Sequence, residues 1–162
     1  MREAFRCVHK TLFVKEGYYE DFVVGEKIRP KVGRTVTETD CIWFSLLTNN
    51  ANQVHFNAHY IEKSFPEYSG RLLANGFFTL AVVTGLLTTE TSAQGVMLAL
   101  ENVSFEKPVF VGDTIYAEGE VIEKRESRSK SGMGIVKIKS RGYNQKGETL
   151  VQFVRVFLAK KR

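Results

Sequence analysis

The stretch that decides the fold is residues 75–87, NGFFTLAVVTGLL, in which apolar side chains occupy eight of the thirteen positions. Apolar residues on all sides of a helical segment are typical of a helix that is buried all round rather than lying on a surface. The stretch is shorter than the ~20 apolar residues that a bilayer crossing requires. It therefore predicts a long central helix inside a folded protein, and we expect no membrane association.

Strand-like segments follow this helix, and turn-forming residues separate them. They cover residues 96–105, 114–126, 133–143 and 150–160. In the last segment the alternation groups Val151, Phe153 and Arg155 on one face. The order indicates an antiparallel meander, and a sheet with one solvated face needs apolar cover on the other. We therefore predict an α+β fold in which a curved antiparallel sheet wraps the long buried central helix.

Length and composition bound the domain organisation. The chain has 162 residues, of which 43% are hydrophobic and 25% charged. This length suits one domain, and this composition is that of a globular chain rather than a disordered one. We predict an N-terminal arm at residues 1–16 and a single domain at residues 17–162.

Cysteine content and the N-terminal residues bear on the compartment. Cys7 and Cys41 are far apart and lack the spacing of disulfide-rich or metal-binding motifs. Charged residues interrupt the first 16 residues, so they contain no apolar core of the kind that a signal peptide needs. We therefore expect a cytoplasmic protein.

The net charge of +5 is partly concentrated at residues 124–130 and 160–162. Positive charge alone is compatible with nucleic-acid binding, but no recognition motif accompanies it here. A solvated surface, or attraction to an anionic cofactor, explains the charge better. We predict no nucleic-acid partner.

A short helix and a polar loop precede the central helix. Residues 37–40, TETD, supply N-cap candidates, so this helix is predicted to start near Asp40 and to end by Thr48, with Asp40 as a cap rather than a catalyst. Residues 48–56 then form a loop that contains three asparagines and His55. Loops held on a rigid scaffold often carry chemistry, which makes this loop the candidate reactive centre.

The loop also carries a family resemblance. Residues 49–55, NNANQVH, resemble the Gly-Asp-x-Asn-Pro-Leu/Ile-His signature of the MaoC-like hydratases of the hotdog superfamily, which include the (R)-specific enoyl-CoA hydratases. Asn52 and His55 match this signature. The glycine, the aspartate and the proline do not match, and Asn50 stands where the family has its aspartate.

Two further segments extend the resemblance, which covers about residues 18–158. Residues 70–76, GRLLANG, are similar to the family's Gly-Arg and His-Gly pairs before the central helix; Gly76 matches and Asn75 replaces the histidine. Residues 107–113, KPVFVGD, are similar to the family's Pro-Val-x-x-Gly-Asp turn. The proline and glycine of this turn have a mainly structural role.

The resemblance implies a hotdog fold and a hydratase/dehydratase that adds water reversibly to the double bond of an enoyl-CoA or acyl-carrier-protein thioester. A branched or dicarboxylic substrate, a homodimer or higher homo-oligomer, and no cofactor beyond the CoA of the substrate are also implied. In the family an Asp and a His flank one water, and a backbone N–H at the start of the central helix contributes to the oxyanion site. Carried over, the catalytic residues are His55 and Asn50, and the oxyanion or substrate-binding residues are Gly76, Asn75 and Asn52.

Each of these residues also has a simpler interpretation. An unperturbed histidine, with a pKa of ~6.5, exchanges protons near neutral pH, but a lone histidine often only hydrogen-bonds its loop. Gly76 can present an N–H to developing negative charge or can serve close packing. Asn50 is neutral, so it can orient a water but cannot act as a base. His55 and His59 lack the glutamate of a metalloprotease motif, and we predict no metal.

Two alternative functions use the same class of ligand. One is a hotdog acyl-CoA thioesterase, which would hydrolyse the thioester instead of hydrating the double bond. The other is a non-catalytic acyl-thioester-binding protein, which the replacement of the family's aspartate by Asn50 favours.

Overall fold

The structure, a computed structural model, describes residues 16–91 and 94–162, and of residues 89 and 90 it describes only the backbone. The arm predicted at residues 1–16 lies outside this range except for Glu16, and so does Cys7. The division into an arm and a single domain therefore stays a prediction.

All three described helices precede the four long strands along the chain. The helices are α1 (Glu38–Leu47), α2 (Ala58–Ser64) and α3 (Gly76–Thr91), and single 3-10 turns cover Tyr19–Asp21, Gln53–His55 and Pro66–Tyr68. The strands are β1 (Lys27–Ile28), β2 (Arg34–Thr35), β3 (Gly95–Phe105), β4 (Thr114–Glu126), β5 (Met133–Tyr143) and β6 (Thr149–Lys160). The α+β class and the bounds of the four long strands agree with the sequence prediction.

The sheet is antiparallel throughout, with the strand order β1-β4-β5-β6-β3, and β2 also pairs with β4. The predicted meander is therefore wrong for β3, which pairs with β6 instead of β4. The connection between β3 and β4 pairs instead with the segment before α3, through an antiparallel bridge between Leu73 and Phe110. Ala74 N–H donates to Val109 O at 2.8 Å, and Val111 N–H donates to Leu72 O at 3.1 Å.

The helix α1 begins through a capping box. Thr37 Oγ1 accepts from Asp40 N–H, and the Asp40 carboxylate accepts from Thr37 N–H at 2.9 Å. Arg34 also donates to this carboxylate at 2.6 Å, and this hydrogen bond lowers the pKa of Asp40. Asp40 takes part in the cap as expected, but as the third residue of the helix: the N-cap is Thr37, and the helix begins two residues earlier than expected, at Glu38.

The central helix α3 lies on the inner face of the sheet. Val83 and Leu87 are completely buried there. The opposite side presents an exposed stripe at every third or fourth residue, formed by Phe77, Ala81, Gly85 and Thr88. The prediction of a helix buried all round is therefore wrong for the single chain, because the sheet covers only one side of it.

The C-terminal end of α3 contacts a buried cation. Arg155 of β6 is only 2% exposed, and its guanidinium donates to Thr91 Oγ1. Thr91 Oγ1 in turn donates to Leu87 O at 2.6 Å. The guanidinium also lies over the Phe157 ring, 4.8 Å from its centroid. Burial lowers the pKa of Arg155 to about 10, because the interior solvates the charged form less well than water does.

Candidate functional site

His55 is held by the short turn that ends the asparagine-rich loop. This 3-10 turn covers Gln53–His55, and the Asn52 side chain caps it by accepting from Val54 N–H at 3.3 Å. The turn buries the imidazole, which is 7% exposed. Asn52 thus has a structural role in this chain: its side chain orders the backbone that presents His55.

The hydrogen bonds of the imidazole identify its tautomer. His55 Nδ1 lies 2.7 Å from Leu73 O, and a carbonyl oxygen can only accept. Nδ1 therefore carries the hydrogen, and in the neutral ring Nε2 carries the lone pair. Nε2 is the atom of His55 that can take up a proton.

Asn75 joins His55 to the start of α3. Its Oδ1 accepts from Phe77 N–H at 2.9 Å, which caps the helix, and its Nδ2 lies 3.5 Å from His55 Nε2. The amide is 7% exposed. The structure thus brings together His55 and Asn75, two of the residues that the sequence singled out.

Asn50 is directed into its own loop. Its Oδ1 accepts from Asn52 N–H at 3.0 Å, and its N–H donates to Ser45 O at 2.9 Å. Across the described part of the chain, no hydrogen bond joins Asn50 to His55. Asn50 instead lines an open groove of about 530 Å³ whose walls are mainly apolar. The other lining residues come from α1 and the loop: Ile42, Ser45, Leu46, Asn49, Ala51 and Phe56.

Gly76 is the first residue of α3 and lines a second cavity, of about 250 Å³, together with Leu73, Phe105 and Lys107. Within residues 16–91 and 94–162, its N–H has no hydrogen-bond acceptor. A Cβ at this position would lie 3.0 Å from the Phe105 ring. Both interpretations of the glycine therefore fit the structure: it leaves an N–H available at a helix N-terminus, and it permits close packing.

His59 lies on α2 and is exposed. The part of the chain that the structure describes contains no group of three or more His, Cys, Asp or Glu side chains that could hold a metal ion. The absence of a metal site stays a prediction. None of the described helices is long and apolar enough to span a bilayer.

Two features of the site were not predicted from the sequence. The first is the Leu73 carbonyl that orients His55, for which the sequence offers no signal, because any residue supplies a carbonyl. The second is the apolar groove beside Asn50. Its signal lies in α1, where Ile42, Trp43, Leu46 and Leu47 are all apolar and all exposed.

Comparison with known proteins identifies the family of this chain. A family model described as "MaoC like domain" matches residues 21–143, which is most of the chain. The chain belongs to the MaoC-like family. The family suspected from the loop at residues 49–55 is therefore confirmed, and it explains why one fold positions both His55 and the start of α3.

Curated relatives of this MaoC-like domain include enzymes of acyl-CoA metabolism. A mesaconyl-CoA hydratase of Cereibacter sphaeroides is 30% identical over 90% of this chain and 41% of that protein. A 3-hydroxybutyryl-CoA dehydratase of Methylorubrum extorquens is 24% identical over 65% of this chain and 64% of that protein. An (R)-specific enoyl-CoA hydratase of Rhodospirillum rubrum is 26% identical over 62% of this chain and 66% of that protein. The MaoC-like domain thus spans between two fifths and two thirds of these relatives' lengths.

A solved structure confirms the hotdog fold. It is a Mycobacterium tuberculosis protein described as having a double hotdog fold, with a TM-score of 0.78. The likeness covers 90% of this chain and 44% of that one, at 19% identity. At this identity the likeness shows the fold alone.

Proposed function

We propose that this MaoC-like domain adds water reversibly to the double bond of an enoyl-CoA or acyl-carrier-protein thioester. The observation that carries the proposal is the position of His55, whose Nδ1 is bound to Leu73 O and whose Nε2 lies beside the N-terminus of α3. A proton acceptor and a helix N-terminus are what this reaction needs, since a water must lose a proton while the thioester oxygen gains negative charge.

His55 alone can carry out both proton transfers of the reaction. Its Nε2 takes a proton from the water, the hydroxyl oxygen bonds to the β carbon, and the electron pair of the double bond moves toward the thioester carbonyl. The Gly76 N–H and the helix dipole stabilise the resulting enolate-like oxygen. The imidazolium then returns the proton to the α carbon. The Oδ1 of Asn50 is engaged by Asn52 N–H, so only its NH₂ group is left to orient the water.

The test of this role is His55→Ala, with His59→Ala as its matched control. His59 is exposed and lies four residues further along the chain. Because positioned acid–base groups contribute roughly 100- to 10,000-fold, we expect hydration of a short enoyl-CoA to fall by at least 100-fold in the first variant and to persist in the second. Intact hydration in His55→Ala would overturn the assignment. Release of free thiol without a hydroxyacyl product would indicate a thioesterase instead.

The substrate is proposed to be a branched or dicarboxylic enoyl thioester. Support comes from the mesaconyl-CoA hydratase that is 30% identical over 90% of this chain. The apolar groove beside Asn50 supports an acyl group of substantial apolar surface. A panel of straight-chain, methyl-branched and dicarboxylic enoyl-CoA esters tests this proposal, and the highest kcat/KM on a straight-chain ester would contradict it.

A non-catalytic acyl-thioester-binding function has one observation in its favour. Asn50 offers no carboxylate, and its Oδ1 is engaged by Asn52 N–H. An aspartate would preserve this local bond, because its oxygen accepts equally well, and would add the missing base. Binding of acyl-CoA without turnover, together with hydration gained by Asn50→Asp, would establish the binding function. Turnover by the unaltered chain excludes it.

We also propose a homodimer, formed along β3. This strand pairs with β6 on one side, and within the described residues its other edge has no partner strand. Val96, Met97 and Leu98 are each more than half exposed there. An exposed apolar edge strand is a liability that pairing with a second copy removes. Light scattering at micromolar concentration should give twice the mass of the chain, and a monomer would contradict the proposal. The cytoplasmic location and the absence of a cofactor stay predictions.

A further inference from the structure

The geometry points to Asn75 as a positioning residue that keeps His55 Nε2 unprotonated and ready to accept a proton. Its catalytic consequence rests on the proposed hydration, whereas the protonation state itself can be measured without turnover. The sequence led us to expect Asn75 only to bind substrate or an oxyanion. In the structure its side chain contacts His55, the proposed base.

The orientation of the Asn75 amide follows from its second contact. Phe77 N–H lies 2.9 Å from Oδ1 and can only donate, so the oxygen must face α3. The NH₂ group then faces His55. The reversed amide would place two donors against each other at Phe77 and would lose a helix cap. The helix start thereby determines which group of Asn75 meets the imidazole.

The two contacts of the imidazole agree with each other. Leu73 O requires a hydrogen on Nδ1, and the Asn75 NH₂ group favours a lone pair on Nε2. When Nε2 gains a proton during the reaction, it faces a donor and loses its partner. The imidazolium is therefore not stabilised by this contact, which favours transfer of the proton onward to the substrate carbon.

Charged side chains do not account for an unprotonated His55 Nε2. The described residues that make hydrogen bonds or ion pairs with His55 include no charged group. The titratable groups on α1 and α2, which pack against the turn that holds His55, are Glu38, Asp40, Cys41, His59, Tyr60, Glu62 and Lys63. Asp40 binds Arg34, and burial raises the pKa of the Cys41 thiol to about 11, so this thiol stays neutral. The neutral amide of Asn75 is the polar side chain that meets Nε2.

The substitution Asn75→Asp separates the positioning role from the capping role. Aspartate caps helices as well as asparagine does, so the bond to Phe77 N–H is retained. Its second oxygen would present an acceptor and a negative charge to Nε2, which favours the imidazolium. A merely structural Asn75 tolerates this change, whereas a positioning Asn75 does not.

Asn57 provides a matched control. It caps α2 as Asn75 caps α3, because its Oδ1 accepts from Tyr60 N–H at 3.0 Å, while its Nδ2 donates to Gln53 and not to the imidazole. Asn57→Asp therefore adds the same charge at a helix cap two residues from His55, without an acceptor at Nε2.

The experiment is ¹⁵N NMR of the histidine rings in the full-length chain at pH 8, with His55→Ala assigning the signals. In the unaltered chain we expect the pattern of a protonated Nδ1 and an unprotonated Nε2. Asn75→Asp should show both nitrogens protonated at the same pH, and Asn57→Asp should match the unaltered chain. A protonated Nε2 in the unaltered chain, or an unchanged His55 pattern in Asn75→Asp, would overturn the inference.

Kinetics supplies a second readout and separates the two proposals. If hydration is the function, Asn75→Asp should lower kcat on the order of 100-fold, the lower range for a positioned base, with partial recovery at higher pH. Asn57→Asp should retain activity. Absence of hydration in the unaltered chain together with the expected NMR pattern would refute the proposed function and leave the inference about Asn75 standing. Normal kcat in Asn75→Asp would refute the inference alone.

Discussion

The two ends of α3 both carry buried polar side chains, but they use different kinds of contact. At the N-terminal end, the side chains of His55 and Asn75 meet, and Gly76 lines a cavity of about 250 Å³. At the C-terminal end, the charged Arg155 binds Thr91, and both side chains are buried. One end borders open space, whereas the other is filled by a side chain of the protein itself.

The helix dipole gives this difference a functional meaning. The N-terminus of a helix favours negative charge and the C-terminus favours positive charge. Arg155 supplies that positive charge at the C-terminal end, so no ligand is needed there. At the N-terminal end the carboxylate that lines the cavity, Glu106, accepts from Ser104 and Gln152 and makes no hydrogen bond to the helix start within the described residues, so a substrate oxygen can fill that place. We therefore expect changes at the first end to affect turnover and changes at the second to affect stability.

The largest expected effect is that of Asn75→Ala. This change removes the helix cap and the NH₂ group that faces His55. We expect kcat/KM for hydration to fall about 100-fold, while the free energy of unfolding falls by only about 1 kcal/mol. Steady-state kinetics and urea unfolding of the same preparation measure both quantities. A loss of stability with unchanged kcat/KM would mean that both ends of α3 serve stability and that neither serves turnover.

The next effect is at the other end, in Arg155→Met. Burial lowers the pKa of Arg155 to about 10, well below its usual value, so the folded state penalises its charge. Removal of that charge should raise the free energy of unfolding at pH 7 by about 2 kcal/mol, after allowance for the lost hydrogen bond to Thr91. Hydration activity should not change. A loss of stability in urea unfolding would mean that the C-terminal contact outweighs the burial of the charge.

The pH dependence of this difference has a definite sign. Well below pH 10, Arg155 is charged in both the folded and the unfolded chain. As the pH rises through about 10, the folded chain begins to release the proton, while the unfolded chain, in which burial does not lower the pKa of Arg155, retains it. The unfolded state then binds more protons, so stability rises with pH. The advantage of Arg155→Met should therefore shrink between pH 9 and pH 10.5, and a widening gap would contradict the cause assigned to the pKa.

The contrast between the two ends also shows what a sequence reveals. The long strands were predicted to within one residue because alternation of side chains is local: 150–160 was expected, and Thr149–Lys160 is found. The same alternation placed Arg155 with Val151 and Phe153, and all three are buried. The pairing of β3 with β6 was not predicted, because it depends on contacts such as Ala74 N–H to Val109 O, which join distant segments.

The candidate site was predictable in its residues but not in its contacts. The family resemblance pointed to His55 and Asn75, which are 20 positions apart and adjacent in the structure. It did not reveal that the amide of Asn75 faces Nε2, because that orientation depends on Phe77 N–H and the tautomer depends on Leu73 O. Both are backbone groups, and backbone groups leave no mark in a sequence.

A smaller effect is expected from Thr91→Val. Thr91 Oγ1 accepts from Arg155, so its removal takes a hydrogen-bond partner from a buried cation. We expect the free energy of unfolding to fall by about 1.5 kcal/mol. Thr88→Val is the matched control, because Thr88 donates to Thr84 O in the same way but is exposed, and it should change stability by less than about 0.5 kcal/mol. Equal effects of the two variants would show that Arg155 gains nothing from Thr91.

The smallest expected effect lies between the two ends, in Gly85→Ala. Gly85 is an exposed interior residue of α3, and a Cβ there would meet nothing within 4 Å. Alanine should therefore raise the free energy of unfolding by about 0.5–1 kcal/mol, because glycine loses more chain entropy in a helix. The same substitution at Gly76, where the Cβ would lie 3.0 Å from Phe105, should not stabilise. A destabilising Gly85→Ala in urea unfolding would contradict this account, because the structure shows nothing that a Cβ at Gly85 would meet.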